Sequence, residues 1–398
     1  MGPTARHTGE PTRAVPTPDR PDPTSRHGAA PVEDRRANLA QAFDPRSNAL
    51  NVLRLLFAGT VALAHTLLLG FGYQPLTGST DLGSLAVDGF FVLSGFLVAR
   101  SYLRLDSLRR FAWHRALRIL PGFWACLLGT ALVVAPLLAV LAGRPAASVF
   151  SGEDSAGSYL GSNALLVMRQ FGISGLPGEA AVHDQLDGSL WTLFFEAGCY
   201  ALVAVLGVLG VLQRRRSLVL GLCVALWALT VAPLVGVPVL EHPLLQALHA
   251  GDVLRFGLMF LLGSAGHLFA DRVPVRRLLA LLALGLLAAG LFLLPDRMPA
   301  APASAYLCLY AVVRLPWRWN PRWDLSYGVY VWHWPVALVL VALGARGLTT
   351  VPFVLAGLAV TAAVAAASWN FVERPALSWK DAAWVTRATP RPHTRTRP

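Results

Sequence analysis

Charge is scarce in this sequence. Only 14% of its 398 residues are Asp, Glu, Lys or Arg, against 55% hydrophobic residues and a mean hydropathy of +0.52. That combination excludes an ordinary soluble domain and leaves a bilayer as the natural solvent. Cysteine is scarce too. Cys126, Cys199, Cys223 and Cys308 lie far apart inside apolar segments, without the paired spacing of a zinc site or the setting of a disulfide framework, so no metal is expected. A continuous basic face is also missing. The net charge is +12, but the basic residues sit between apolar segments, which speaks against nucleic-acid binding. The start of the chain has no apolar run and no signal-peptide h-region. Residues 1–46, rich in Pro, Arg, Thr and Asp, read as a disordered tail, and the first apolar stretch reads as an uncleaved anchor.

What is present is a series of long apolar stretches. A helix needs roughly 20 apolar residues to span the hydrocarbon core. That template fits at 48–71, 82–101, 119–142, 189–212, 218–237, 253–270, 277–294, 301–315, 326–343 and 351–372. The expected fold is therefore all-α, a polytopic transmembrane bundle of about ten spans, with a membrane domain over 47–375 and a second disordered tail over 376–398. Basic residues collect in alternate loops, and the outer loops hold only Arg144, Arg169, Arg297 and Arg346, while Arg54 and Arg255 fall inside spans. By the positive-inside rule both tails are cytoplasmic and the chain is a multi-pass protein of the cytoplasmic membrane. One outer loop is long, 143–188, and carries Glu153, Asp154, Glu179, His183, Asp184 and Asp187. These residues either line an acceptor site or are simply solvated.

Ionisable side chains within a span tend to face a cavity or a partner, which makes them functional candidates. In the first span Arg54 and His65 are eleven residues apart, so they project from one face, separated by roughly 16 Å along the axis. Arg54 is a permanent cation suited to phosphate or carboxylate, and His65 an imidazole that accepts a proton near neutrality. Together they suit a path from donor to acceptor; the alternative is a snorkelling arginine and a structural interhelical histidine. Asp88, in AVDGFFVLSGFLVARSYL, lies at a depth comparable to His65, where it either orients the imidazole or binds only backbone or water. Ser94-Gly95 suits close helix packing. Arg115 and Arg118, three residues apart in RALRILP, form a guanidinium fork for phosphates or belong to the positive-inside signal, as Arg109 and Arg110 do. Glu196, in DGSLWTLFFEAGCYAL, lies about a turn and a half below Trp191. It is either a catalytic acid or base or a structural partner of Arg54 or Arg118. His333, between Trp332 and Trp334 in SYGVYVWHWP, is placed near the cytoplasmic donor side, and its tryptophans also suit an interfacial belt.

With these residues in hand, the chain resembles the acyltransferase 3 family of membrane-bound O-acyltransferases. The matches are the R-x10-H of Arg54 and His65, the DGFFVLSGFL block, RALRILP with its R-x-x-R, GSLWTLFFE around Glu196, SYGVYVWHWP, and FVERP with Glu373 and Arg374; they run in the family's order over 48–375. The resemblance implies transfer of an acyl group, often acetyl, from cytoplasmic acyl-coenzyme A to a hydroxyl of a surface glycan, lipid-linked sugar or glycosylated metabolite. It implies no cofactor beyond that donor. It makes His65 essential and gives Arg54, Arg115 and Arg118 to the donor. Trp191 and His333 are placed beside them as substrate contacts, and Asp88 and Glu196 beside His65 as catalytic candidates. Two departures stand out. Asn51 occupies a place where members often carry an acid, and no esterase-like domain follows the last span. His65 is expected to serve as general base on the acceptor or as transient acyl carrier. A rival reading is a transporter or exporter of a glycan or lipid precursor with the same charges lining its path. A structural or sensory role fits the aligned Arg54 and His65 less well.

Overall fold

The computed structural model describes residues 37–386 except 106, 179–181, 183, 239–241, 251 and 318–322. Within them, helices occupy all ten apolar stretches: α1 (Leu50–Phe71), α2 (Leu82–Arg104), α3 (Leu108–Leu141), α4 (Thr192–Val208), α5 (Ser217–Val231), α6 (Val253–Leu268), α7 (Arg277–Phe292), α8 (Ala301–Arg314), α9 (Ser326–Ala342) and α10 (Thr350–Ser368). Among the described residues α1, α2, α3, and the helical stretches that begin with α5 and α10 are long and apolar enough to cross a bilayer, and α4, α6, α7 and α9 are shorter apolar helices. The chain is an all-α membrane protein. A hairpin pairing Leu76–Thr77 with Thr80–Asp81 turns the chain from α1 into α2. Local chemistry sets the helix ends. Gly72 closes α1 at φ 76°, Asp81 Oδ1 accepts the Ser84 N–H at 2.8 Å to start α2, and Ser107 caps α3.

Much of the exposed surface is leucine and valine, as on α5 and α7, which suits lipid contact. The interior is built by small residues that let backbones approach. A Cβ on Gly95 of α2 would run into the Phe260 carbonyl of α6, and one on Gly263 of α6 into the Val92 carbonyl of α2. Ser264 Oγ adds a hydrogen bond to Gly95 O at 3.1 Å. The close packing expected of Ser94-Gly95 therefore belongs to the glycine; the serine has another partner, described below.

Described residues within both expected tails are ordered against the bundle. Leu39 is 1% exposed, within the short helix Leu39–Ala42, and its N–H donates to Val273 O at 2.8 Å. At the other end, residues past 376 dock on α3: Trp113 Nε1 donates to Trp379 O at 2.8 Å and Arg110 Nη2 lies 3.1 Å from Asp381 Oδ1. In both places a few apolar or aromatic side chains find the bundle, which a Pro- and Arg-rich composition conceals. Residues 1–36 and 387–398 lie outside the described residues.

Candidate active site

A cavity of about 660 Å³ extends from Arg104, Leu105 and Lys380 at the Arg-rich end of the bundle to Phe90, Thr192 and Tyr330 deeper inside. α2, α3, α4 and α9 supply most of its wall. Arg54, Arg115 and Arg118, brought from two helices, all line it, as does Glu196.

The cations of the cavity divide into two sets. Arg54 Nη1 donates to Asp324 Oδ2 at 2.8 Å, and Arg118 Nη2 lies 2.8 Å from the same oxygen. The other carboxylate oxygen accepts from Ser326 Oγ at 2.7 Å. Asp324 precedes α9, outside the spans. Burial by itself raises its carboxyl, but Arg118 and Arg54, with the Ser326 hydroxyl, outweigh burial and hold it far below the usual carboxylate range. Arg115 instead lies over the Tyr200 ring at 5.5 Å. Arg100, Arg104, Arg115 and Lys380 have no carboxylate at ion-pair distance among the described residues.

Glu196 was expected to serve as a partner for Arg54 or Arg118, or in catalysis. Its Oε1 accepts from Tyr200 Oη at 2.6 Å and from Ser94 Oγ at 2.8 Å. The arginines go to Asp324 because that carboxylate sits at their depth. Asp324 is not among the residues that the spans single out, although it is the one acidic residue in the otherwise basic stretch between α8 and α9.

His65 meets His333. His65 Nδ1 is 2.7 Å from His333 Nε2, the rings are stacked with centroids 5.0 Å apart, and the Trp334 indole stands edge-on to His65 at 4.8 Å. His333 is fully buried, and its Nδ1 lies 3.2 Å from Val329 O. A carbonyl only accepts, so His333 carries its proton on Nδ1 and presents a bare Nε2. His65 must then donate from Nδ1. This fixes the tautomer that leaves a lone pair on His65 Nε2. His333 is thus not at the Arg-rich end, as its span direction suggested; it lies one turn beyond Tyr330. Tyr330 lines the cavity while its ring stands 6.1 Å from that of His333 and meets the Phe90 ring edge-on at 5.7 Å. His65 itself does not line the cavity.

Asp88 is not beside His65 in the role the sequence suggested. It is 2% exposed, with Arg255 Nε at 2.7 Å from Oδ1 and Arg297 Nε at 2.8 Å from Oδ2. Two guanidiniums satisfy a buried carboxylate more fully than a neutral ring can. Trp191 packs against Phe195 and Phe256 rather than in the cavity wall, which takes its neighbours Thr192 and Leu193.

In the long loop, Glu153, Asp154 and Asp184 are exposed, as solvated residues would be, while Glu179 and His183 lie outside the described residues. Asp187 departs from both readings, being fully buried. Burial pushes its carboxyl up to about 7, against the pull of hydrogen bonds from Cys126 and Ser189. The Cys126 thiol sits 3.0 Å from Asp187 Oδ2 and 3.1 Å from Val331 O, a carbonyl whose helical donor is missing because Pro335 has no N–H. With Trp334 Nε1 donating to Gln185 O at 3.0 Å, the loop end is fastened to α9 on the face that supports His65.

The sequence profile of a family described as an acyltransferase domain matches residues 47–370. Among curated proteins, the chain is 25% identical over 355 residues to the O-acetyl transferase of Shigella phage Sf6, covering 87% of this chain and 98% of that one. It is 27% identical over 337 residues to a Komagataeibacter xylinus protein provisionally named membrane-bound transacylase BcsY, covering 76% and 78%. It is 28% identical over 361 residues to nodulation protein 10 of Rhizobium leguminosarum bv. viciae, covering 83% and 93%. No solved structure matches the chain at a significant level.

Proposed function

Since the chain belongs to the acyltransferase 3 family and is a membrane O-acyltransferase, we propose that its donor is acyl-coenzyme A, by preference acetyl-CoA, and its acceptor a hydroxyl of a cell-surface glycan, lipid-linked sugar or glycosylated metabolite. On this reading both termini are cytoplasmic, in the cytoplasmic membrane, and the donor enters the Arg-lined cavity from that side. The observation that carries the reading is the His65–His333 pair, whose hydrogen bonds leave the His65 Nε2 lone pair without a partner among the described residues.

Arg115, together with Arg54 and Arg118 around Asp324, suits the donor's phosphates. In direct transfer His65 Nε2 takes the acceptor hydroxyl proton as the oxygen attacks the thioester carbon; the C–S bond breaks and the thiolate leaves to be protonated. In the two-step alternative Nε2 itself attacks, an acyl-imidazole forms as the thiolate leaves, and the hydroxyl then displaces the imidazole, its proton ending on the thiolate. Either route requires the thioester to reach beyond the cavity lining to His65, which is not among the lining residues. Base assistance of this kind is worth about 10² to 10⁴ in rate.

Purified protein in nanodiscs, given [14C]acetyl-CoA and lipid-linked and free oligosaccharides, is expected to label the sugars, and His65→Ala to abolish labelling. Label retained on the protein after an acid-free quench identifies the two-step route. Full activity in His65→Ala, or acceptor flux across proteoliposomes without any donor, overturns the proposal.

A further inference from the structure

The family match ends at residue 370, and beyond it the chain continues in an ordered course and returns to the cavity. A π-helical turn over Trp369–Glu373 leads into the helix Arg374–Ser378 and the single turn Trp379–Asp381. Three contacts hold this strap on the first turns of α3: Trp113 Nε1 to Trp379 O at 2.8 Å, His114 Nε2 to Lys380 O at 3.2 Å, and Arg110 Nη2 to Asp381 Oδ1 at 3.1 Å. Two of them grip backbone carbonyls, so the path of the strap is set independently of the Lys380 side chain.

Leu377 and Lys380 line the cavity. At the mouth, Lys380 joins Arg100, Arg104 and Arg115, all without a carboxylate partner among the described residues. Neighbouring cations without an ion-pair partner repel one another, and an arrangement that keeps them so is suited to an anionic ligand. Arg54 and Arg118 differ, since Asp324 already offsets part of their charge. This set, without an ion-pair partner among the described residues, lies at the end of the cavity away from Tyr330, where the nucleotide of a donor would sit with its thioester pointed inward.

We propose that the strap over 374–381 is a donor-binding element and that Lys380 contacts the phosphates of coenzyme A. This rests on the donor reading given above. Lys380 supplies a point charge at a partly buried position rather than a bidentate fork, so its share is modest and sensitive to salt.

The test is calorimetric binding of unacylated coenzyme A and of dephospho-coenzyme A to the full-length protein in nanodiscs. Lys380→Ala is expected to weaken coenzyme A by about three- to tenfold at low salt, with Lys380→Arg close to wild type and the difference shrinking in high salt. In turnover the same variant is expected to raise KM for acetyl-CoA and leave kcat unchanged, a split that a merely structural change would not give. A loss confined to coenzyme A and absent with dephospho-coenzyme A assigns Lys380 to the 3′-phosphate; an equal loss with both assigns it to the diphosphate. Wild-type affinity in Lys380→Ala, or equal weakening in the Ala and Arg variants, overturns the inference. Absence of coenzyme A binding to the wild-type protein overturns the donor reading as well.

Discussion

Replacing His333 with alanine removes the acceptor that holds the Nδ1 proton of His65. In the native pair this bond is 2.7 Å long and faces a fully buried ring. A buried donor without an acceptor costs about 1–3 kcal/mol, and His65 recovers part of that cost by rotating or by moving the proton to Nε2. Either escape removes the lone pair from the place where it is needed. With tenfold in rate for about 1.36 kcal/mol, kcat is expected to fall about 5- to 150-fold, while coenzyme A binding, governed by the other end of the cavity, stays within about twofold. His333→Gln, whose side-chain carbonyl can accept from Nδ1, is expected to keep more activity than His333→Ala. The assay is the initial rate of sugar labelling at saturating acetyl-CoA, with melting temperature measured beside it. A His333→Ala enzyme with wild-type kcat, where His65→Ala is inactive, would show that the tautomer argument is wrong.

Three further perturbations follow from the ion pairs and the packing. Asp88→Asn takes away the charge that two arginines share, and loss of one member of a buried cluster costs about 3–5 kcal/mol; a lower melting temperature is expected, and an unchanged one with lost kcat would return Asp88 to the chemistry. Asp324 is held below its ordinary range, so its stabilisation is complete above about pH 4 and is lost as the pH falls through the folded-state value. Melting temperature is expected to drop more steeply on acidification in the wild type than in Asp324→Asn, and parallel curves would refute the pairing. Gly95→Ala sets a methyl against the Phe260 carbonyl and is expected to cost about 1–3 kcal/mol, read as a lower yield of folded protein and a lower melting temperature; wild-type stability would contradict the close approach.

The ten helices were legible because a bilayer demands long apolar stretches, and hydropathy reports those directly. Periodicity within one helix also indicated that Arg54 and His65 share a face. Neighbours across the bundle were not legible in the same way. Arg54 pairs with Asp324, 270 residues on, and His65 meets His333, 268 residues on. A single sequence reveals the depth and face of each residue, not which helices adjoin. Depth alone made Asp88 a natural partner for His65, until Arg255 and Arg297 approached from α6 and from the segment before α8. The docked tail segments were hidden for a different reason. Their anchoring rests on a few contacts, such as Leu39 in the core and the Trp379 and Lys380 carbonyls on α3, too sparse to change the average composition.

The reciprocal contacts of Gly95 and Gly263 have a mechanical consequence. Each glycine is seated against a carbonyl of the opposite helix, so α2 and α6 cannot slide along one another without driving backbone into backbone, and shear between packed helices is the usual low-cost motion. The two therefore act as a stator, and the cavity wall formed by Phe90 and Ser94 is fixed to it.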